Sequence, residues 1–442
     1  MMHPLSFRHS SLLTRACSNG RTLSTLPAST SLSRLPPTHS PTVSKLAFFN
    51  SVTGDSSKIP SYRVLDVFGV PIEGAKVPEI SKQFAWRLYE HMQLLPTLDD
   101  ILCSGQRQGR IPFYATSYGE EATVIGSAAA LADDDEVLSQ YRETGVLLWR
   151  GFTLDSIMAQ VFGNHEDSGK GRQIAVHYGS KQHHFHTISS PLATQISQAA
   201  GVGFALRRDP ARRSKNVACA FFGEGAASEG DFHAGLLLAA TLPSPTLFLA
   251  RNNGFAISTP NSQQFYGDGI SARGPGYGVD TVRVDGNDVL AVMNAVKEAR
   301  RRCLEGGRAV LVEMMTYRVG HHSTSDDSYV YRERQEVEDK TKNDNPITRF
   351  RLFMESRGWW NQTDEDELAF RLRRDVIKAF KRAETVKKPD LKDMFTDVYV
   401  EEPWNIKEQR EELMALLKKY GQVWEPWQNE LRTLKNGGKP VN

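Results

Sequence analysis

Cysteine is scarce in this chain: four residues in 442, Cys17, Cys103, Cys219 and Cys303, with no paired or metal-like spacing. That excludes a disulfide-stapled scaffold and a cysteine-rich zinc site, and leaves reduced, structural thiols as the expected state. Long hydrophobic runs are missing as well; none approaches the ~18 residues a membrane-spanning helix needs. Neither sign of charge prevails, with 54 Lys and Arg against 52 Asp and Glu for a net charge of +2, so nothing in the balance points to nucleic acid or a membrane surface. One absence is local. Residues 1–54 contain no Asp or Glu, while Arg8, Arg15, Arg21, Arg34 and Lys45 are spread among eleven serines. That composition fits a mitochondrial transit peptide, the alternative being a Ser/Pro-rich disordered tail with no address.

What is present belongs to a globular protein: 40% hydrophobic and 24% charged residues, in a chain long enough for one large α/β domain with additions or for two domains. The stretch from Gly223 to Gly254 organises the rest. An apolar run, Val217 to Phe222, reads as a buried strand; it ends at Gly223-Glu224-Gly225, where glycines let the backbone turn sharply and approach a ligand. A small-residue helix from Ser228 to about Leu242 follows, then a second apolar run, Thr246 to Ala250, delivers Arg251, Asn252 and Asn253 to the same edge. One βαβ crossover thus sets Glu224 beside Asn253. Two oxygen ligands at that edge suit Mg²⁺ shared with phosphates, and Arg251 adds a positive charge for the same phosphates. The bland alternative is a strand, turn and helix with a capping carboxylate.

Around this unit, Tyr62 to Val70 alternates apolar and polar residues as an extended arm, residues 79–105 carry helical periodicity, and Ala122 to Leu131 is a small-residue helix. Tyr141 and Arg142 fall at a strand-to-helix junction, where an arginine can grip a diphosphate bidentately or serve as a surface ion-pair residue. His177, His183, His184 and His186 are close in sequence without interleaved acidic or cysteine ligands, so a polar active-site rim is preferred to a metal cluster. Ser189, Ser190, Thr194 and Gln195 lie in and after a proline-stiffened loop, whose uncharged oxygens suit a monovalent cation or, equally, a helix cap and turn. The glycine-rich segment Tyr266 to Gly278 is expected near the site, followed by strands at Thr281 to Val284 and Ala309 to Met314 around a charged helix, Val289 to Cys303. The loop Thr316 to Ser328 carries His321, His322, Ser323, Thr324, Ser325, Asp326 and Asp327, and should be mobile unless a ligand orders it. From Pro346 onward the pattern is helical and charged, with no chemistry of its own. The segments expected are therefore 1–54 as targeting peptide, 55–340 as the α/β domain with its arm, and 341–442 as a helical region packing on the domain or on a partner subunit.

The spacing from GEG to RNN resembles the thiamine diphosphate motif, with Glu224 replacing the usual Asp. YRETGVL, ISSPLATQ, GEGAASEGD, RNNGFAISTP, GDGISARGPGYG, RVDGNDV and GHHSTSDDS all resemble alpha subunits of the mitochondrial branched-chain 2-oxoacid dehydrogenase decarboxylase component, over residues 60–430 or so. That resemblance implies the thiamine diphosphate-binding α/β fold, a parallel sheet between helix layers. It implies oxidative decarboxylation of branched-chain 2-oxo acids in the mitochondrial matrix and transfer of the acyl group to a lipoyl-bearing transacylase core. Two alpha and two beta subunits would assemble, with the beta subunit supplying the carboxylate that activates the cofactor. Mg²⁺ would be held by Glu224, Asn253 and the main-chain oxygen of Phe255, and K⁺ by Ser189, Pro191, Thr194 and Gln195. Tyr141, Arg142, Ser190, Gly225, Ala226, Arg251 and His322 would contact thiamine diphosphate, His322 also being the catalytic candidate, as diphosphate contact or proton donor. Ser323 matches an inhibitory phosphorylation position, which implies a kinase and phosphatase, whereas Glu333 stands where relatives have a second such serine. Competing readings are a pyruvate or acetoin decarboxylating alpha subunit and a non-catalytic regulatory paralogue.

Overall fold

A computed structural model describes residues 58–424, so the targeting segment expected at 1–54, with Cys17, lies outside the described residues. In chain order the first elements are β1 (Ser61–Tyr62), α1 (Lys82–Arg107), α2 (Glu121–Ala130), β2 (Glu136–Leu138), α3 (Thr144–Trp149), α4 (Leu154–Phe162) and α5 (Thr194–Arg208). The central unit follows as β3 (Ala218–Gly223), α6 (Glu224–Ala227), α7 (Gly230–Thr241) and β4 (Thr246–Asn252). After it come a small hairpin, β5 (Phe255–Ala256) and β6 (Thr259–Pro260), then α8 (Asn261–Gln264), α9 (Arg273–Gly276), β7 (Asp280–Asp285), α10 (Val289–Gly306) and β8 (Val310–Met315). The chain continues as α11 (Arg334–Asn343), α12 (Pro346–Ser356), α13 (Gln362–Thr385) and α14 (Trp404–Lys419).

Six strands form one parallel sheet in the order β1-β7-β8-β4-β3-β2. β3 and β4 are buried along their whole length, which is why they read as continuous apolar runs rather than as alternating ones: helices cover both faces. Alternate residues nevertheless sort to opposite sides. Cys219, Phe221, Leu247 and Leu249 join the core under α1, α2 and α10, while Ala218, Ala220, Phe222 and Phe248 join that under α5 and α7. The expected α/β fold with helix layers on both faces is the one observed.

The helix starts are written locally. Ser81 accepts the Phe84 N–H ahead of α1, Asp288 accepts those of Leu290 and Ala291 ahead of α10, and Asn361 caps α13. Asp288 also receives the N–H groups of Val64 and Leu65 at 2.7 and 2.6 Å, so one buried carboxylate caps a helix and ties down the N-terminal arm. β1 makes that arm the edge strand, pairing Tyr62 with Val284. In the C-terminal portion, Phe350, Phe353, Leu372 and Val376 share the core of α1, and Trp360 packs edge-on against Trp86 at 4.7 Å. Those aromatics belong to the same compact unit as the sheet. Cys103, Cys219 and Cys303 are free thiols, as expected.

Two members of the histidine-rich run, His184 and His186, depart from their expected place. His184 and His186 lie against Glu136 at 3.1 Å each, and their backbone brackets Phe185, which bridges to Val137 beside β2. Glu136 opens β2, so these histidines stand at the amino-terminal end of the sheet, opposite the site edge, and are not its rim. Arg212 shares the carboxylate at 2.8 Å, and the cluster is an ion-paired sheet border.

Candidate active site

β3 and β4 end level, Gly223 opposite Arg251. The next residue after β3 is Glu224, and the next after β4 is Asn253; the crossover therefore brings both to the carboxyl edge, where ligands bind in open α/β sheets. Glu224 is 1% exposed, begins α6, and accepts the Gly254 N–H. It makes no ion pair among the described residues. Burial pushes its carboxyl up to about 8, with the charge of Glu120 adding to the effect and the Gly254 N–H opposing it. A buried carboxylate without a cation is the donor that a divalent ion would relieve. Asn253 gives its Nδ2 to Glu120 Oε1 at 2.7 Å, and its Oδ1 accepts the Phe255 N–H at 3.3 Å. Carboxylate oxygen, amide oxygen and the adjacent main-chain oxygen of Phe255 are the hard donors that Mg²⁺ takes, so the residues present fit the ion. Gly225, beside Glu224, packs so closely on the hairpin that a Cβ there would sit 3.2 Å from that of Ala256; Ala226 behind it is fully buried.

The opposite wall comes from two distant segments. Tyr141 and Arg142 follow β2, and His322 comes from the loop after β8; the Tyr141 and His322 rings meet edge-on at 6.0 Å. Arg142 is buried; its Nη1 donates to Thr116 O, and its Nη2 donates to His322 O at 2.8 Å and faces His322 Nδ1 at 3.3 Å. Because an arginine only donates, Nδ1 is the acceptor and Nε2 carries the ring proton. Burial, then the charges of Arg142 and Arg318, hold the His322 imidazole down to about 4. His322 is therefore neutral near pH 7 and offers a hydrogen bond from Nε2 rather than a cationic proton.

Arg251, expected beside the phosphates, is packed between two carboxylates. Its side chain is 2% exposed, with Nε donating to Glu143 and Nη1 to Glu120. Both carboxylates are fully buried, so Arg251 braces the site from behind and its charge is already balanced. Burial raises Glu120, but Arg251 and Arg142 outweigh it and hold that carboxyl below its usual range. Glu143 also accepts the Gln140 N–H at 3.0 Å, and Gln140 Oε1 accepts the Gly223 N–H at 3.0 Å, which ties this brace to the end of β3.

The loop from Thr316 to Ser328, expected to need a ligand for order, satisfies much of its polarity itself. The His322 N–H donates to Asp326 Oδ2 at 2.9 Å, the Tyr331 hydroxyl donates to the same oxygen at 2.6 Å, and Arg318 Nη2 donates to Tyr331 Oη at 2.7 Å. Arg332 donates to the backbone oxygens of Arg318, Val319 and Gly320. Ser323 is half-buried and lines a cavity of about 360 Å³ with Cys103, Arg107, Thr116, Tyr118 and His321.

The remaining predicted residues form a separate group. Thr194 Oγ1 donates to Pro191 O at 3.2 Å, Gln195 Nε2 donates to Phe221 O at 3.1 Å, and Ser190 Oγ meets His177 Nε2 at 2.9 Å. Ser189 is half-buried in the same loop. The group is linked to the site through β3, with no direct bond from Ser190 to Glu224, Asn253 or Arg142. Sequence reasoning passes over Glu120, Glu143, Arg318 and Arg332. No local pattern marks them: Glu143 and Glu120, for instance, are revealed only by Arg251, 108 and 131 residues away. The glycine-rich segment sits where expected: buried Glu313 of β8 accepts the N–H groups of Ile270 and Ser271 and the Asn252 amide, and Arg273 donates to Ala227 O.

The sequence profile of the dehydrogenase E1 component family matches residues 89–392. The mitochondrial 2-oxoisovalerate dehydrogenase subunits alpha of Macaca fascicularis and Homo sapiens are each 52% identical over 382 residues, 86% of this chain and 84% of theirs. Subunit alpha 1 of Arabidopsis thaliana is 51% identical over 373 residues, 84% of this chain and 78% of its own.

Proposed function

Since this chain belongs to the dehydrogenase E1 component family, we propose that it is the alpha subunit of a branched-chain 2-oxoacid dehydrogenase, acting in the mitochondrial matrix on the 2-oxo acids left by valine, leucine and isoleucine. The observation that carries the reading is the convergence of Glu224 and Asn253 on one edge, with Asn253 joined through Glu120 to Arg142 and its partner His322. Relatives at about half identity named for 2-oxoisovalerate support the substrate class, and the acid-free segment 1–54 supports import.

Thiamine diphosphate, when bound, would supply the nucleophile that attacks the keto carbon and the electron sink for loss of CO₂. Glu224, Asn253 and the Phe255 main-chain oxygen would hold Mg²⁺. Tyr141, Arg142 and His322 would meet the diphosphate, with Gly225 and Ala226 opposite and Ser190 at the flank. Arg251 acts by fixing Glu120 and Glu143 and thereby the floor of the site. His322 donates a neutral hydrogen bond from Nε2, which can orient a developing oxyanion without transferring a charge. Ser189, Pro191, Thr194 and Gln195 would bind K⁺ and steady their loop against β3. A phosphoryl group on Ser323 would add nearly two negative charges beside Asp326 and Asp327, opposing order in the loop that carries His322. That makes Ser323 the site for a kinase and phosphatase.

The activating carboxylate is assigned to a beta subunit, in an assembly of two alpha and two beta chains that passes the acyl group to a lipoyl-bearing transacylase core. The test is CO₂ release from 3-methyl-2-oxobutanoate by this chain co-expressed with its beta subunit, with thiamine diphosphate and Mg²⁺ and with pyruvate as competitor. Selective release lost without the beta chain is expected. Preference for pyruvate would overturn the branched-chain assignment, and inactivity of a well-assembled complex would overturn the catalytic one.

A further inference from the structure

Resting on the reading above, we propose that Glu120 is a positioning residue for the metal site, setting the orientation of the Asn253 amide so that its oxygen, and not its nitrogen, is presented to the ion. An asparagine side chain has two nearly isosteric ends, and a cation accepts only the oxygen. Something must choose between them, because the wrong end places two N–H dipoles against the metal.

Glu120 makes that choice by charge. It is fully buried at the start of α2. Donors converge on it: Asn253 Nδ2 on Oε1 at 2.7 Å, Arg251 Nη1 on Oε2, and Arg142 Nε 3.8 Å from Oε1. A carboxylate whose two oxygens meet arginine donors acts as an acceptor, so the amide nitrogen faces it. The Asn253 oxygen is then left toward the backbone of Phe255, where it accepts that residue's N–H at 3.3 Å, while the preceding Gly254 N–H reaches Glu224. Two guanidinium groups flank the carboxylate, Arg251 at Oε2 and Arg142 at Oε1, so both of its oxygens face donors. Asn252 cannot exchange roles with its neighbour, since its Nδ2 is given to Glu313 at 2.7 Å and its Oδ1 accepts from Asn261 at 2.6 Å. Glu143 provides the internal control: it grips the same Arg251 but does not touch Asn253.

The test uses the assembled alpha and beta subunits and calorimetric binding of thiamine diphosphate at varied Mg²⁺. Glu120→Gln keeps the shape but faces Asn253 Nδ2 and Arg251 Nη1, both donors, with an amide that has one accepting end. Its half-saturating Mg²⁺ concentration should rise about tenfold or more, the usual scale for losing an outer-shell partner. Glu120→Asp, which keeps the charge and shortens the reach, should shift it less, and should serve if the glutamine variant fails to assemble. In the double variant E120Q/N253D, the amide introduced at position 120 donates to a carboxylate with no wrong end, so Mg²⁺ dependence should return to within about threefold of wild type. E143Q, which loosens Arg251 without touching Asn253, should shift that dependence clearly less than E120Q. Equal shifts in E120Q and E143Q would overturn the proposal in favour of a general loss of Arg251 support, and an unchanged E120Q or an unrecovered double variant would overturn it outright. Absence of Mg²⁺-dependent binding in the wild-type assembly would overturn the functional reading and this inference together; wild-type binding that E120Q leaves intact would overturn this inference alone.

Discussion

Arg251 offers the sharpest test of how the buried charges hold the site. Arg251→Met removes the guanidinium that joins Glu120 to Glu143 while keeping most of the apolar volume. Breaking a buried ion pair by deleting one partner costs about 3–5 kcal/mol, because the other charge stays buried and uncompensated. The two carboxylates should not suffer equally. Glu120 keeps Arg142 at 3.8 Å and the Asn253 amide at 2.7 Å. Glu143 is left with neutral donors, the Ser139 hydroxyl and the Gln140 N–H. The deficit therefore concentrates on Glu143. R251M/E143Q should recover about 2 kcal/mol or more, and R251M/E120Q less than about 1 kcal/mol, since the latter leaves Glu143 bare and also takes a partner from Arg142. Urea denaturation of the assembled protein at neutral pH, followed by circular dichroism, reads the midpoints, with comparable slopes required for the comparison. A loss below about 1 kcal/mol in R251M, or equal recovery in the two double variants, would refute the reasoning.

Asp288→Asn retains one accepting oxygen for two jobs, the α10 cap and the N–H groups of Val64 and Leu65; a loss of about 2–4 kcal/mol is expected, with faster amide exchange at whichever pair is released, and no change at either would contradict it. Gly119→Ala asks for a side chain at φ +90° whose Cβ would lie 2.1 Å from Tyr317 O; the strand end and the loop after β8 must shift, costing roughly 2–3 kcal/mol, and limited proteolysis should cut the 316–328 loop faster than in wild type. Glu136 is held down to about 2 from 4.5, chiefly by His186 and then by Arg212 and His184 against the opposing effect of burial. A depressed carboxylate gives stability that is fully present above pH 4.5 and is lost as pH falls toward 2, so E136Q should flatten the acid limb of the denaturation profile in that window, and an unchanged limb would exclude the cluster as a source.

The βαβ unit was legible because its signals are local. Two uninterrupted apolar runs, a glycine-flanked carboxylate and a small-residue helix require strand, turn, helix and strand whatever surrounds them, and parallel pairing then brings Glu224 and Asn253 to the same edge. The histidine run shows where such reading stops: its composition suits a site rim, but residues 184–186 align beside β2 at the amino-terminal border, and composition does not encode which end of a sheet a loop reaches.

By itself, then, the sequence determined the alternation of parallel strands and helices, the edge at which ligands bind, and the oxygen donors that stand there, since each follows from hydrophobic period and from residues adjacent along the chain. The tertiary structure alone decided what those donors are bonded to. Glu120 reaches Arg251 and Asn253 across more than 130 residues, and Arg142 reaches His322 across 180. Such pairings obey Coulomb's law and burial, which depend on distance in space and have no period in the sequence; through them Arg251 is held between Glu120 and Glu143, and His322 is held beside Arg142.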